Sequence, residues 1–499
     1  MGSLRAGRTA VSRLNFGSLV EETGETGGGR PRVVIAGGGP AGLLCAAVLA
    51  KAGAEVSVHE KATSIEGWSD RSYAIVLNAR GREALLAVDP SLHDRVCAVS
   101  SPRRATVMHG GGGGSPVVVP KNVTDFALTR SALVESLASF CASALGVGVR
   151  FGEGVEGVEE VEDDMLQVRL TNGNAIECTH VVGADGKWSA VRCAIERQGR
   201  FLCREHVCGS WGIRFNLSKC SSSLSKWQPD ATHVFSPLTR KGQMYALASP
   251  LPDGRVSSSL VLFDSILKDF AWAGPLQTGK GGRAEDRGDW RDDTLSSQAG
   301  FDSDSARELA LLLEKELPSF ASFLVEVGGS QLVPASFGED SDRNTLTSSL
   351  EELIRKEARR SARASWLEVC SPPSRSGSAE TEEHSGMNCV GEPSLSALGG
   401  RVLLLGDSGH AMAPSLGEGC NAALESVSVL QSFIQGKHQI HQNGERFPGS
   451  KERKLTSRLS TEELSKAFAQ FGPERAARVR NIQLRSATAS GASGVTINP

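Results

Sequence analysis

One stretch, Arg32 to Glu60, limits the folds open to this chain more than any other. Arg32 to Ala36 is a short apolar, β-branched run and reads as a buried parallel strand. It breaks at Gly37, and the spacing Gly37-x-Gly39-x-x-Gly42 leads into an alanine- and leucine-rich helix, Leu43 to Lys51. Val56 to Val58 reads as a second strand that ends at Glu60. Together these segments make a βαβ unit with its glycines at the strand-to-helix turn. Gly37 allows the tight turn, Gly39 lets a pyrophosphate approach the backbone, and Gly42 lets the helix lie on the strand. The helix N-terminus offers unpaired N–H groups to phosphate. Glu60 stands where an acid accepts hydrogen bonds from an adenosine ribose. The unit implies a bound dinucleotide.

Composition narrows the class. At 499 residues the chain can hold two domains with sizeable cores. A net charge of -3 gives no reason to expect nucleic acid. The 11 cysteines form no CxxC pair, which reads as reduced thiols in an intracellular protein with no metal centre. No run approaches the ~18 apolar residues of a spanning helix, so a soluble protein is expected. The first twenty residues carry Arg5, Arg8 and Arg13, with no acid before Glu21. That pattern fits an organelle transit peptide (mitochondrion or plastid) and equally a disordered cytosolic tail.

Further along, Arg103 to Met108 reads as a strand and Gly110 to Gly114 as a hairpin loop with no helix behind it. Arg130 sits where a strand end meets a helix, in the run Phe126 to Ser139. Residues 148–182 alternate through several strands and close on Val181 to Arg192, VVGADGKWSAVR. Alternating strands return between Cys208 and Phe263, and an amphipathic helix is expected from Glu308 to Val327. The polar stretch 337–398 has one candidate helix, Ser349 to Ala364, and its basic run RKEARRSARA reads as a solvated helix face. Arg401 to Asp407, RVLLLGD, restores an apolar strand, and HAMAPSLGEGCNAALES follows it.

Three separated motifs therefore occur in order: GGGPAG, GADG and GDSGHAMAP. The set resembles the single-component FAD-dependent aromatic hydroxylases, the p-hydroxybenzoate hydroxylase-like flavoprotein monooxygenases. Within them it is most similar to the kynurenine 3-monooxygenase type, on DRSYAIVLNARGREAL, LTRSALVESL, MYALASPLPDG and GEGCNAALES. The resemblance implies an α/β fold. It comprises a Rossmann-like FAD-binding domain with a parallel sheet, a mainly antiparallel-sheet substrate domain and a C-terminal helical segment. On this reading residues 1–30 are a tail and 31–200 the FAD-binding domain, with part of the substrate sheet near 101–125. Residues 201–336 form the substrate domain and 337–398 a low-complexity insertion. Residues 399–436 return to the FAD-binding domain, and 437–499 are a linker and C-terminal helix.

The resemblance also implies roles. Gly37, Gly39, Pro40, Ala41, Gly42, Glu60 and Lys61 would contact the adenylate end of FAD. Arg71 and Arg130 would meet its pyrophosphate and ribityl regions, and Asp185 would serve FAD and nicotinamide together. Gly406 and Asp407 would hold the ribityl chain. Gly417, Gly419, Cys420 and Asn421 would bring a helix N-terminus to the isoalloxazine, where Pro414 lies beside the reacting carbon and Asn421 bonds the ring. NADPH would bind transiently. The chemistry expected is hydroxylation of a small aromatic substrate by O2 through a C4a-hydroperoxyflavin. Two alternatives stay open: an epoxidase or reductase of an isoprenoid-type substrate, and a non-catalytic FAD-binding protein. The carboxylate anchors of kynurenine hydroxylases, an arginine and a tyrosine, align here with Thr106 and Lys121. Arg104, two residues from Thr106 on the strand, together with Lys121 and Tyr245, are the substitutes expected.

Overall fold

The computed structural model describes residues 29–65, 74–111, 114–162, 164–217, 227–270, 301–328, 343–360, 364–372, 391–437 and 459–492. The first strand, Arg32–Ala36, lies inside a six-stranded sheet. Its order is Ser396–Ala397, Val402–Leu404, His180–Gly183, Arg32–Ala36, Glu55–Glu60, Val149–Phe151. All neighbours pair in parallel except the outermost Ser396–Ala397. Strand order reverses between Arg32–Ala36 and His180–Gly183, and the loops leaving their carboxyl ends open a crevice there. The helix Pro40–Lys51 is buried without interruption from Ala41 to Leu49. It is enclosed by the sheet and the helices Arg130–Leu145 and Gly419–Ile434, which is why it is apolar all round.

The second large sheet has eight strands. From one edge they are Ala358–Arg360, Ser210–Leu217, Val256–Phe263, Met244–Pro250, Ala231–Phe235, Ser101–His109, Val117–Leu128 and Ile75–Leu77. One face is covered by helices Ser303–Glu316, Pro318–Gly328 and Arg343–Glu357, which share a core with it. The single long helix expected from Glu308 to Val327 is two helices, because Pro318 has no N–H to continue the first and starts the second. The strands on either side of the Gly110 to Gly114 run, Ser101–His109 and Val117–Leu128, pair antiparallel; part of the run itself lies outside the described residues.

Residues 343–360 and 364–372, within the stretch expected to be a low-complexity insertion, belong to this architecture. Helix Arg343–Glu357 buries Leu350, Leu353 and Ile354 in the core. The basic run expected to be a helix face instead changes to strand at Ala358–Arg360, paired with Ile213 to Phe215. Ser365–Cys370 pairs antiparallel with Leu202–Val207 and is wholly buried. Composition misleads here because apolar residues three and four apart suffice to anchor an otherwise polar helix. The N-terminal tail lies outside the described residues. No helix among the described residues is long and apolar enough to cross a membrane.

The C-terminal helix Thr461–Ala489 opens with a capping box at Ser460 and Glu463 and packs across the cofactor-side sheet. Ser465 Oγ meets His180 Nε2 at 2.9 Å. His180 is one of several buried histidines. His109 Nε2 lies 3.0 Å from His233 Nδ1 among Phe235 and Trp227. Burial holds His109 and His180 down to about 4, with His233 and Arg401 adding to the effect respectively. In the unfolded chain each imidazole takes up its proton near 6.5. Between these values the unfolded chain binds more protons, so stability is full above that range and falls as pH drops toward 4. Each ring contributes up to about 3 kcal/mol to this loss. Urea midpoints measured between neutral pH and pH ~4.5 should fall steeply, and His109→Gln should flatten the slope.

Candidate functional site

The site grows from close backbone contacts. Gly37 has φ of +98° and donates its N–H to the His59 carbonyl at 2.7 Å. A Cβ on Gly37 would lie 2.4 Å from the Ala184 carbonyl oxygen, and one on Gly42 would lie 2.1 Å from the Gly37 oxygen. The helix therefore sits directly on the turn, and the GADG loop sits directly against both. Gly39 caps the helix with extended backbone and no side chain, and Pro40 fills its first position. That leaves the helix N-terminus open to a ligand. Ala41 approaches Gly406, where a Cβ would lie 3.2 Å from that of Ala41 and 3.4 Å from that of Ala423. The three motifs thus meet in one crevice.

Charged groups line it. Glu60 is buried, its Oε2 accepting from Gly38 N–H and its Oε1 from Ala62 N–H, both at 2.9 Å. It steadies the glycine turn. Lys61 is exposed, with its Cβ against Gly154. Arg130 begins its helix next to Gly39: its guanidinium lies 3.7 Å from where a Gly39 Cβ would be. Asp407 is open to the crevice, and a Cβ on Gly419 would lie 3.9 Å from its Oδ1. The surrounding protein raises the Asp407 carboxyl above the ordinary carboxylate range, against the pull of Arg130 and Lys187. Cys420 is half-buried, and burial pushes its thiol up to about 12. Arg71 lies outside the described residues.

Asp185 caps the following helix, its Oδ2 accepting from Ala190 N–H at 2.7 Å. Its Oδ1 is buried without a partner, and burial raises its carboxyl despite the hydrogen bonds from Ser189 and the backbone. A buried acceptor beside the glycine turn is one a ligand hydroxyl can satisfy. Arg192, also buried, donates to the carbonyls of Ser408 and Lys187, both at 2.6 Å, and so ties the GADG loop to the GD loop. Glycine cradle, open helix N-terminus and orphaned acceptor all fit an extended dinucleotide.

Asn421 behaves differently from expectation. Its side chain accepts from Asn78 N–H at 3.1 Å and donates to the carbonyls of Val76 at 3.0 Å and Gly417 at 3.3 Å. The amide is committed to protein, because the segment before helix Ala79–Val88 has backbone groups that need partners. What faces the crevice is the backbone at the start of Gly419–Ile434, next to the left-handed Gly417 and the exposed Pro414. His410 is buried with Nε2 3.0 Å from Ser426 Oγ; burial and nearby Arg475 hold it down to about 3, so it stays neutral.

The substrate-side cations also differ. Arg104 is 65% exposed and paired with Asp230 at 3.3 Å. Lys121 is paired with Asp125 at 2.6 Å. Along Ser101–His109 the buried residues Arg103, Val107 and His109 share one face, and Arg104 lies on the other with Thr106. Arg103 is the one turned inward, fully buried, donating to the Pro102 and Pro229 carbonyls at 3.0 Å. Sequence reasoning passed over Arg103; the available signal was that adjacent strand residues face opposite sides. Tyr245 is half-buried on the face of its strand opposite core residues Met244 and Ala246, 6.3 Å from Phe263, and burial raises its phenol.

Residues 30–250 match the family described as FAD binding domain. The kynurenine 3-monooxygenase of Cryptococcus neoformans var. neoformans is 23% identical over 436 residues, covering 82% of this chain and 69% of that protein. The chloroplastic zeaxanthin epoxidase of Spinacia oleracea is 32% identical over 171 residues, covering 32% of this chain and 25% of that protein. Among solved structures, a variant of 2-methyl-3-hydroxypyridine-5-carboxylic acid oxygenase superposes with TM-score 0.56 at 20% identity, covering 93% of this chain and 90% of that one. Klebsiella pneumoniae HpxO, complexed with FAD and uric acid, does so with TM-score 0.55 at 16% identity, covering 93% and 90%.

Two substitutions test the crevice. Gly37→Ala should abolish retention of FAD through purification, whereas Gly114→Ala, with nothing within 4 Å of its added methyl, should retain it fully. Asn421→Ala leaves buried backbone groups unpaired and should lower unfolding stability by about 2 kcal/mol, read from denaturant midpoints.

Proposed function

We propose that this chain, an FAD-dependent oxidoreductase resembling the flavoprotein aromatic hydroxylases, hydroxylates a small electron-rich aromatic ring with O2 and NADPH. The observation that carries this reading is the shared crevice. The glycine turn lies against the Asp185 loop and Gly406 against the helix behind that turn, Arg192 ties the Asp185 loop to the Asp407 loop, and Asp407 lies beside Gly419 at the start of Gly419–Ile434. FAD, when bound, would supply the redox chemistry that links a reduced nicotinamide to dioxygen.

The chain's own residues bind, orient and protect. Gly37, Gly39 and Gly42 bring backbone to the pyrophosphate, and Glu60 accepts from the adenosine ribose. Asp185 and Asp407 accept from the ribityl hydroxyls, with Arg130 balancing the charge nearby. The N–H groups at the start of Gly419–Ile434 favour negative charge on the pyrimidine side of the reduced ring. Pro414 closes one side of the reacting region. No side chain is needed as a nucleophile: the work is to hold the ring in place and keep water away.

A second reading, epoxidation of an isoprenoid-type substrate, draws on the likeness to zeaxanthin epoxidase over about a third of the chain. A third is that the cofactor is held without turnover. One experiment separates them. The FAD-loaded protein is incubated with NADPH, labelled dioxygen and aromatic acids including L-kynurenine, and products are read by mass spectrometry. Hydroxylated ring product with matching NADPH loss is expected. NADPH loss with label only in peroxide, or label only in an added carotenoid, overturns the reading.

A further inference from the structure

Helix Gly419–Ile434 carries an acid at the end that favours a bound anion. Glu418 immediately precedes its first turn, and Ala422 N–H makes the first intrahelical hydrogen bond, to the Glu418 carbonyl at 2.9 Å. The N–H groups of Gly419, Cys420 and Asn421 therefore stand outside the helix's own ladder. A carboxylate at such a position is drawn to those N–H groups and to the positive end of the helix dipole. The Glu418 side chain makes no such cap. It is held to one side: Asn78 Nδ2 donates to its two oxygens at 3.1 and 3.4 Å, and Arg80 donates to Oε2 at 2.5 Å.

The holder is itself fixed. Asn78 caps helix Ala79–Val88, accepting from Gly81 N–H at 3.3 Å, and its own N–H donates to the Asn421 side chain. Gly81 lies so close to Asn421 that a Cβ on it would sit 2.3 Å from Oδ1. Arg80 also reaches Glu425, two turns further along the helix, at 3.6 Å, and Arg475 pairs with the same oxygen at 2.8 Å. Helix Ala79–Val88 thus lies alongside the start of Gly419–Ile434 and presents one cation to two of its acids. The Arg80 and Glu418 side chains are 34% and 22% exposed, so their pairing adds little to folding. Its consequence lies in where the carboxylate points.

We propose that Arg80 is a positioning residue for the cofactor. By holding the Glu418 carboxylate aside, it leaves the helix N-terminus to the pyrimidine edge of the flavin and offsets a negative charge beside it. The proposal rests on the reading that places the isoalloxazine at the start of Gly419–Ile434. Reduction adds negative charge to that edge, and the helix terminus favours it. With Arg80 removed, Glu418 loses its cation and turns back to the same N–H groups, where it competes with the reduced ring. The oxidised ring is neutral and loses less. The reduction potential therefore falls while the fold is kept.

The two-electron midpoint potential of the full-length FAD-loaded protein is measured anaerobically against a reference dye, with unfolding midpoints in denaturant alongside. Arg80→Gln should weaken binding of reduced relative to oxidised FAD about tenfold, which lowers the potential by about 30 mV. Glu418→Gln should leave it at or above the wild-type value, and the double variant should match Glu418→Gln. Arg255→Gln, which breaks an exposed pair with Asp253, should leave the potential unchanged. If Arg80→Gln alone does not fold, the double variant decides: it must fold and hold FAD at the Glu418→Gln potential. A purely structural role for Arg80 lowers the unfolding midpoint and leaves the potential where it was. The proposal is overturned by that result, by a double variant that stays as low as Arg80→Gln or does not fold, by a lowered potential in Glu418→Gln, or by an equal fall in Arg255→Gln. No substrate or dioxygen is present, so failure of the hydroxylation reading shows only in the turnover assay and is distinguishable.

Discussion

The carbonyl of Ala184 occupies space that any side chain on Gly37 would need. The cofactor half of the molecule depends on that contact. It lets the loops after two neighbouring parallel strands close on each other, and Gly42 presses the helix onto the same turn. Arg192 then secures the arrangement from beneath by donating to one carbonyl on each of two loops. Both acceptors are backbone, so this buried cation is stabilised by charge-assisted hydrogen bonds rather than by a carboxylate. Ser408, between the Gly183 and Leu405 carbonyls, completes the junction. Small residues and satisfied backbone groups, rather than large apolar contacts, shape the crevice.

The flavin-side helix is held from two directions. On one side Glu418 receives Asn78 and Arg80, and Asn421 receives the backbone before helix Ala79–Val88. On the other, Arg475 of the C-terminal helix donates to Ser426 Oγ at 2.8 Å, the Ala422 carbonyl at 3.0 Å and Glu425 at 2.8 Å. Gln483 donates to the Leu367 and Ala411 carbonyls. The first turns of helix Gly419–Ile434 are thus positioned by residues from far before it and far after it in the chain. Neutral His410 fits this role: a charged imidazole beside buried Arg475 would oppose it.

The two large sheets face different demands. The parallel sheet is covered on both faces, and its loops must meet fixed phosphate and ribose geometry. The eight-stranded, mainly antiparallel sheet shares a core with helices on one face, and along Val256–Phe263 the residues of the other face are half-buried. Residues there can vary without disturbing the core, and this is how a shared fold accommodates different substrates.

The βαβ unit, the GADG loop and the GD loop were legible in the sequence because each is a local steric requirement: glycine where φ is positive or backbones touch, an acid at a strand end, a helix N-terminus behind. The cofactor class followed from those few positions. Other features had no local signature. Asn421 bonds groups 343 and 345 residues away, and nothing near it announces that commitment. Which face of Ser101–His109 is buried, and so that Arg103 rather than Arg104 turns inward, is decided by the packing around the strand. The polar stretch at 343–360 became helix and edge strand because the sheet beside it offered a core and a free edge. Short-range sterics are written into neighbouring residues; the choice of partner across hundreds of residues is made only when the chain closes on itself.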